Sequence, residues 1–329
     1  MSSSVDVSII VCCYNSEALL PETMRHLAAQ EIPDGFSYEV VLVDNNSSDN
    51  TAATAKQLWK EFGSASPLNV IFERTPGLSH ARKAGVKEAK ADLIIFCDDD
   101  NWLASNYSVK AHSIMKKHPK IGALGGLSKG VLEGDTPDWW HEQAMNYAVG
   151  IQAPEDGDIS ERGFVWGAGL VIRKTILTQL FKAKFHSLLL GRTGAAITSG
   201  DDSEICKWVL IMGYRLWYSE ALKFSHYITE RRLKHSYMVK LNQGHQASLP
   251  ILELYDWFLK NSDRYGRYSQ QRERATTAVR VLIRGILGKD PNWRRKLQLM
   301  VGPKVKVHPI LFHIDKTYRN LLEANAILT

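Results

Sequence analysis

An α/β fold built on a mostly parallel sheet follows from three features of the first 130 or so residues. Apolar runs of strand length alternate with segments of helical spacing. The runs are apolar at nearly every position rather than at alternate ones. Several of them stop abruptly at polar side chains. Strands buried on both faces read this way, because helices cover both sides of a parallel sheet.

The elements follow in order. VDVSIIVCCY (5–14) predicts a first strand and SEALLPETMRHLAAQ (16–30) a helix. YEVVLVDNN (38–46) predicts a second strand. DNTAATAKQLWKEF (49–62) is a second helix, with Asp49 or Asn50 suited to its N-cap. LNVIFER (68–74), GLSHARKAGVKEA (77–89) and ADLIIFC (91–97) supply a third strand, a third helix and a fourth strand. From Ile121 the pattern becomes rich in glycine. IGALGGLSKG (121–130) and FVWGAGLVIRK (164–174) predict strands, GDDSEICKWVLIMGY (200–214) a helix, and RLWYSEALKFSHYI (215–228) a short strand pair. From Lys240 onward helices are expected. The division expected is an α/β domain over 1–230, split into halves at 1–120 and 121–230, with a helical C-terminal extension over 231–329.

Composition narrows the class. With 44% hydrophobic and 23% charged residues, the chain has a globular balance. No apolar run approaches the roughly 20 residues that span a bilayer. The start MSSSVDVSIIV lacks the charged n-region of a secretory signal, and the four cysteines show no metal-type spacing. A cytoplasmic location with free thiols is expected.

The chemistry concentrates at strand ends, where open parallel sheets bind ligands. In LIIFCDDDNWL (93–103) an apolar run meets three aspartates. Strand alternation would place Asp98 and Asp100 on one side, with Asp99 opposite unless the chain turns there. Two converging carboxylates suit a hard divalent cation; a solvated acidic turn is the plainer reading. Asp44, in VVLVDNNSSDNT, could accept hydrogen bonds from a nucleotide or cap a turn. Of Asp201 and Asp202, one could cap the helix and the other act as a general base. His226 stands alone, and a lone histidine is more often structural. Trp139, Trp140 and Trp166 could stack on a flat ligand face or belong to the core.

Four segments together resemble the family-2 glycosyltransferases, inverting enzymes with the GT-A (Rossmann-like nucleotide-diphospho-sugar transferase) fold. They are VSIIVCCYNSEALLPETMRHLAAQ, YEVVLVDNNSSDNTAATAK, GLSHARKAGVKEAKADLIIFCDDDNWL and SGDDSEICKWVLIMGYRLWY. The resemblance covers about residues 5–228. It implies that Cys12, Tyr14, Asn15 and Glu17 line a nucleotide pocket. Asp44, with Asn46 beside it, would hold the base, uracil for a UDP-sugar. Arg82 would close over the nucleotide, with Asp98 and Asp99 alongside the donor. Asp100, paired with Asp98 in a D-x-D motif and aided by His226, would hold Mn2+ or Mg2+. Asp202 would be the base, with Asp201 the second choice, since many relatives have Glu-Asp where this chain has Asp-Asp. The partners implied are a nucleotide-sugar donor and a glycan or lipid-linked acceptor. A sugar-nucleotide-binding protein without transfer activity would not need the acidic pair. A nucleotidyltransferase would carry a glycine-rich basic loop after the first strand, where this chain has CCYNSEALL.

The net charge of +6 is concentrated late in the chain: residues 268–306 hold ten Lys/Arg and two Asp/Glu, a net of +8. ATTAVRVLIRGILG places Val279, Leu282, Ile283, Ile286 and Leu287 on one helical face. A packed helix with a solvated basic side is one reading. The other is peripheral contact with an anionic membrane, at the inner face of the cytoplasmic membrane, where lipid-linked acceptors are met. Absence of cosedimentation with anionic liposomes at low salt would exclude that second reading. Nucleic acid is not expected, because no binding motif accompanies the charge.

Overall fold

The computed structural model describes residues 5–189, 191, 199–265 and 309–326. The basic stretch 268–306, with its apolar face from Val279 to Leu287, lies outside the described residues. The chain divides into two compact units, Met1–Leu252 and Glu253–Thr329.

The first unit is built on β1 (Val7–Cys13), β2 (Tyr38–Asp44), β3 (Leu68–Phe72) and β4 (Leu93–Asp98), all parallel. Helices α1 (Leu20–Ala28), α2 (Thr51–Glu61) and α3 (Leu78–Glu88) connect them. Every residue of β2 and all but Cys12 of β1 are buried, as the unbroken apolar runs require. At the cap of α2, Asn50 makes no side-chain bond to the helix, while Asp49 accepts the Thr51 N–H at 3.0 Å.

Beyond β4 the chain forms β5 (Asn101–Leu103), α4 (Tyr107–Lys117), β6 (Ile121–Leu132), α5 (Trp140–Gln143), β7 (Gly157–Asp158), β8 (Val171–Arg173), α6 (Lys174–Lys182), α7 (Asp201–Ile211) and β9 (Arg215–Ile228). The described strands make one sheet in the order β3-β2-β1-β4-β8-β6-β9-β5, with β7 also on β9. Strand β8 runs antiparallel to both β4 and β6, while β9 is parallel to β6. The C-terminal ends of β1, β2, β4, β6 and β9 therefore share one rim.

Two expected strands differ from what forms. FVWGAGLVIRK is extended only over Val171–Arg173; the glycines before it make a loop. RLWYSEALKFSHYI is one strand, not a pair. Its pairing with β6 skips from Ser219 to Lys223 opposite Gly126 and Leu127. Gly126 permits this bulge, since a Cβ there would lie 2.2 Å from the Leu222 carbonyl oxygen.

The principal core packs α1, α2 and α4 against the sheet through Leu20, Met24, Leu27, Trp59, Tyr107 and Met115. A smaller cluster joins Trp140, Tyr147, Val149, Ile228, Leu233 and Leu241. The last of these lies on α8 (His235–Tyr265), which starts before the expected Lys240. In the second unit, Phe258 meets Tyr318 of α9 (Pro309–Ala326) edge to face at 5.5 Å. No described helix is long and apolar enough to cross a membrane.

Candidate active site

Near the middle of the rim β1 and β4 lie side by side. There Cys12 pairs with Asp98 across the ladder, and Cys13 pairs with Asp44 on the other flank. This neighbourhood sits where the strand order turns from leftward to rightward growth, the position at which open α/β sheets hold ligands.

The loops after β1 and β2 are fastened to one another. The Asn15 side-chain oxygen accepts the Ser48 N–H at 2.7 Å, and Ser47 Oγ accepts the Asn15 N–H at 3.0 Å. Glu17 accepts the Asn50 N–H at 3.0 Å, and Asp49 accepts the Glu17 N–H at 3.0 Å. Asn15 and Asn46 have φ of 52° and 61°, left-handed values that asparagine tolerates. Asn15 and Glu17 thus hold the two loops in register. Tyr14 is 55% exposed at the rim, free for contact with a ligand. Asp44 is buried, and its Oδ1 accepts the Ser47 N–H at 2.9 Å. An ionised carboxylate has capacity for further donors.

Cys12 faces Arg82, Asp98, Asp99 and Asp201. Burial chiefly pushes its thiol pKa up to about 12; Arg82 pulls it down, and the three carboxylates push it up. All four cysteines are free. Because the pKa is raised, thiolate forms only as the pH climbs towards that value. At pH 8, a disulfide reagent is expected to label Cys12 roughly fiftyfold more slowly than an unperturbed thiol, because the scarcity of thiolate is partly offset by its higher nucleophilicity. Rapid labelling of Cys12 in the native protein at pH 8 would contradict this environment.

The three aspartates go to three different sets of partners. Strand β4 ends at Asp98 and the chain turns through Asp99 and Asp100, so alternation stops where the cluster begins. Asp98 interacts with Arg82 and Cys12. Asp99 accepts the Ser16 hydroxyl, and its carbonyl accepts the Thr23 hydroxyl at 2.6 Å, tying the turn to α1. Asp100 is buried; its Oδ1 accepts the Asn101 amide at 2.9 Å and its Oδ2 accepts Arg232 Nη1 at 2.5 Å. His226 Nε2 lies 3.4 Å from Asp100 Oδ1.

The sheet explains how residues 126 positions apart meet. Strand β5, straight after the aspartates, pairs antiparallel with the end of β9, setting Asn101 opposite His226. The Tyr227 N–H donates to the Asp100 carbonyl at 2.8 Å. Among the described residues, no three His, Cys, Asp or Glu side chains converge as a ready cation cage. Asp100 and His226 do converge as a pair, and His226 Nδ1 is buried without a hydrogen-bond partner among the described residues. One carboxylate completed by substrate phosphates is a usual way to hold Mg2+, and the His226 imidazole would add a nitrogen donor beside it.

The acidic pair opens α7, and the cap position itself is Gly200, with φ of 98°. Asp201 Oδ2 accepts Arg82 Nη1 at 2.6 Å, with both side chains largely buried. Asp202 Oδ2 accepts the Gly167 N–H at 2.8 Å, and its Oδ1 accepts the Ser203 N–H at 2.7 Å. Gly167 must lack a side chain: a Cβ there would lie 2.9 Å from Arg82 Nη2 and 3.2 Å from the Asp202 Cβ. Arg82 is the hub. Its guanidinium lies 5.1 Å over the Phe96 ring and is surrounded by Asp201, Asp98, Cys12 and Asp202. Burial works against its charge, and those acidic neighbours more than offset burial, so its pKa is raised.

Trp140 and Trp166 are each 6% exposed. Trp140 packs with Tyr147 at 5.2 Å, and Arg162 lies 5.2 Å over Trp166. Trp139, half-buried, stacks on Tyr147 at 6.1 Å. Several residues at the site carried no signal in the sequence. Asn101 and Arg232 matter through contacts made across the fold. Glu204 is another: fully buried, it accepts the Leu188 and Leu189 N–H groups at 3.0 and 3.1 Å and so anchors the segment that leads towards α7.

Residues 8–181 match the family described as Glycosyl transferase family 2. The chain belongs to that family. Among curated family-2 and related transferases, it is 30% identical over 143 residues to poly(ribitol-phosphate) beta-glucosyltransferase of Bacillus spizizenii, covering 40% of this chain and 22% of that protein. It is 37% identical over 94 residues to undecaprenyl-phosphate 4-deoxy-4-formamido-L-arabinose transferase of Pseudomonas aeruginosa, covering 29% of this chain and 27% of that protein. These matches span about a quarter of each relative's length. In solved structures the fold is similar to S. aureus TarS 1-349 in complex with UDP-GlcNAc, with a TM-score of 0.52, 20% identity and coverage of 71% of this chain and 61% of that one. It is also similar to a mannosyltransferase from Pyrobaculum calidifontis in complex with GDP-Man and Mn2+, with a TM-score of 0.50, 18% identity and coverage of 96% and 87%. The GT-A fold expected from the sequence is the one observed.

Proposed function

We propose that this family-2 chain is an inverting glycosyltransferase that moves a sugar from a nucleoside-diphosphate donor, a UDP-sugar, to a hydroxyl acceptor. The observation that carries this reading is the position of Arg82. Its guanidinium pairs with Asp201 at 2.6 Å, and it feels the charges of Asp98 and Cys12 on the donor side and of Asp202 on the acceptor side. On this reading donor and base would meet within one small space.

Asp44, at the end of β2, offers a buried carboxylate oxygen to the N–H of a base or to a ribose hydroxyl. Exposed Tyr14 supplies a surface beside it. Asp100 and His226 would hold Mn2+ or Mg2+, with Asp98 nearby on the donor side. When bound, that ion would neutralise charge growing on the diphosphate as it leaves. Asp202 is the base: it takes the proton of the acceptor hydroxyl while the acceptor oxygen bonds to the anomeric carbon. The bond from that carbon to the diphosphate oxygen breaks, and its electron pair leaves with the nucleotide. One displacement from the opposite face inverts the anomeric centre. Asp201 is the weaker candidate, since protonating it would break its pair with Arg82.

The relatives' names, a poly(ribitol-phosphate) glucosyltransferase and an undecaprenyl-phosphate sugar transferase, support a polymeric or lipid-linked acceptor. The activity is tested without knowing the acceptor. Purified protein with Mn2+ is given a panel of UDP- and GDP-sugars, and nucleotide release to water is followed. Release from one UDP-sugar, lost in Asp100→Asn, is expected. No release from any donor, in a protein that also fails to bind UDP, would refute the reading.

A further inference from the structure

Asp100 is 6% exposed, and a buried carboxylate needs a countercharge close by. In this structure Arg232 supplies it. The Arg232 guanidinium is 5% exposed; its Nη1 donates to Asp100 Oδ2 at 2.5 Å and lies 3.4 Å from His226 Nε2. It therefore engages the same carboxylate and the same ring nitrogen that the proposed function gives to a divalent cation. A divalent cation between those donors would lie close to the guanidinium, and their repulsion in a buried site opposes joint occupancy.

The rest of Arg232's surroundings make it a replaceable partner. Its Nε is buried without a hydrogen-bond partner among the described residues. Its remaining charged contacts are weak ones, with Tyr147 and Tyr237 rings 5.9 Å away. Its backbone, by contrast, is fixed: the Arg232 carbonyl accepts the Tyr147 hydroxyl at 2.9 Å, and its N–H donates to Thr229 at 2.8 Å. The short turn Glu230–Leu233 is thus held at Arg232 through backbone bonds, not through the guanidinium.

We propose that Arg232 is a built-in counter-cation that competes with the divalent metal for Asp100 and His226. The free protein is held with Arg232 on Asp100, and metal enters by displacing it. Metal affinity in the absence of donor is therefore lowered by Arg232.

The inference rests on Asp100 and His226 as metal donors, and the test separates the two claims. Mn2+ binding is measured by the electron paramagnetic resonance signal of free Mn2+, with and without UDP, for wild type, Arg232→Gln, Arg232→Lys and Asp100→Asn. Arg232→Gln is expected to bind Mn2+ without UDP at least about tenfold more tightly than wild type, and its melting temperature to rise more on Mn2+ addition. Arg232→Lys, which keeps the charge, is expected to lack that gain, and Asp100→Asn to lose binding. If Arg232→Gln folds only with Mn2+ present, that also supports the proposal. Equal or weaker Mn2+ binding by Arg232→Gln overturns the competition alone. Failure of wild type and Arg232→Gln to bind Mn2+ even with UDP overturns the metal assignment with it. Should Arg232→Gln not fold under either condition, wild type labelled with 15N-arginine decides. A change in the Arg232 Nε–H resonance on Mg2+ addition supports displacement, and an unchanged resonance at saturating Mg2+ overturns it.

Discussion

Asp202→Asn is expected to lower nucleotide release and sugar transfer by roughly 10²–10⁴-fold, the range general-base catalysis contributes, while leaving the fold intact. The substitution is nearly isosteric. The amide oxygen can still accept the Gly167 or Ser203 N–H, so the link between α7 and the loop before β8 persists. What disappears is the capacity to take a proton. On the proposed reading, donor binding involves the other side of Arg82 and should change little, so the loss should fall on kcat rather than KM. Turnover measured with urea denaturation of the same variant separates the two effects. A folded Asp202→Asn protein with near-normal turnover would remove Asp202 from the mechanism, and Asp201 would then be the residue to examine.

Arg82→Met should be the most damaging single change to stability at the site, costing about 3–5 kcal/mol, the usual consequence of removing one partner of a buried ion pair. Arg82 and Asp201 have side-chain exposures of only 8% and 13%, so water cannot replace the lost partner well. The damage extends further, because Asp98 and Asp202 also surround the guanidinium. Removing it leaves several carboxylates facing one another. The double variant Arg82→Met/Asp201→Asn should recover part of the loss, with a coupling of about 0.5–3 kcal/mol. Urea unfolding of both single variants and the double measures this. A cost for Arg82→Met below about 1 kcal/mol, with no coupling, would mean the pair is solvated in solution.

The parallel half of the fold was legible because its strands are buried on both faces and announce themselves as apolar runs. The rim was legible for the same reason: Asp44 and Asp98 end such runs, so their position follows from where apolarity stops. The rest depended on long-range pairing. Nothing in KFSHYI indicates that His226 will lie opposite Asn101; that comes from β5 adding to the far edge of β9. Alternation misjudged Asp98 and Asp100 as neighbours on one face because the strand ends between them. The family resemblance gives Asn15 and Glu17 to the nucleotide pocket; their bonds to the adjacent loop were not legible in the sequence. Arg232 lies in a segment with no motif, and its role is visible only once Asp100 is seen to be buried beside it. FVWGAG reads as a strand from its apolar residues, but Gly167 is a loop residue placed against Arg82 and Asp202.

Calorimetric titration of UDP into the purified chain, with and without Mn2+, tests the central claim most directly, since it asks whether the rim around Asp44, Arg82 and Asp100 is a nucleotide-diphosphate site at all. The expected result is UDP binding that strengthens with Mn2+, falls in Asp44→Ala and loses its metal dependence in Asp100→Asn. The absence of UDP binding under both conditions, or binding unaffected by Asp44→Ala and Asp100→Asn, would contradict it.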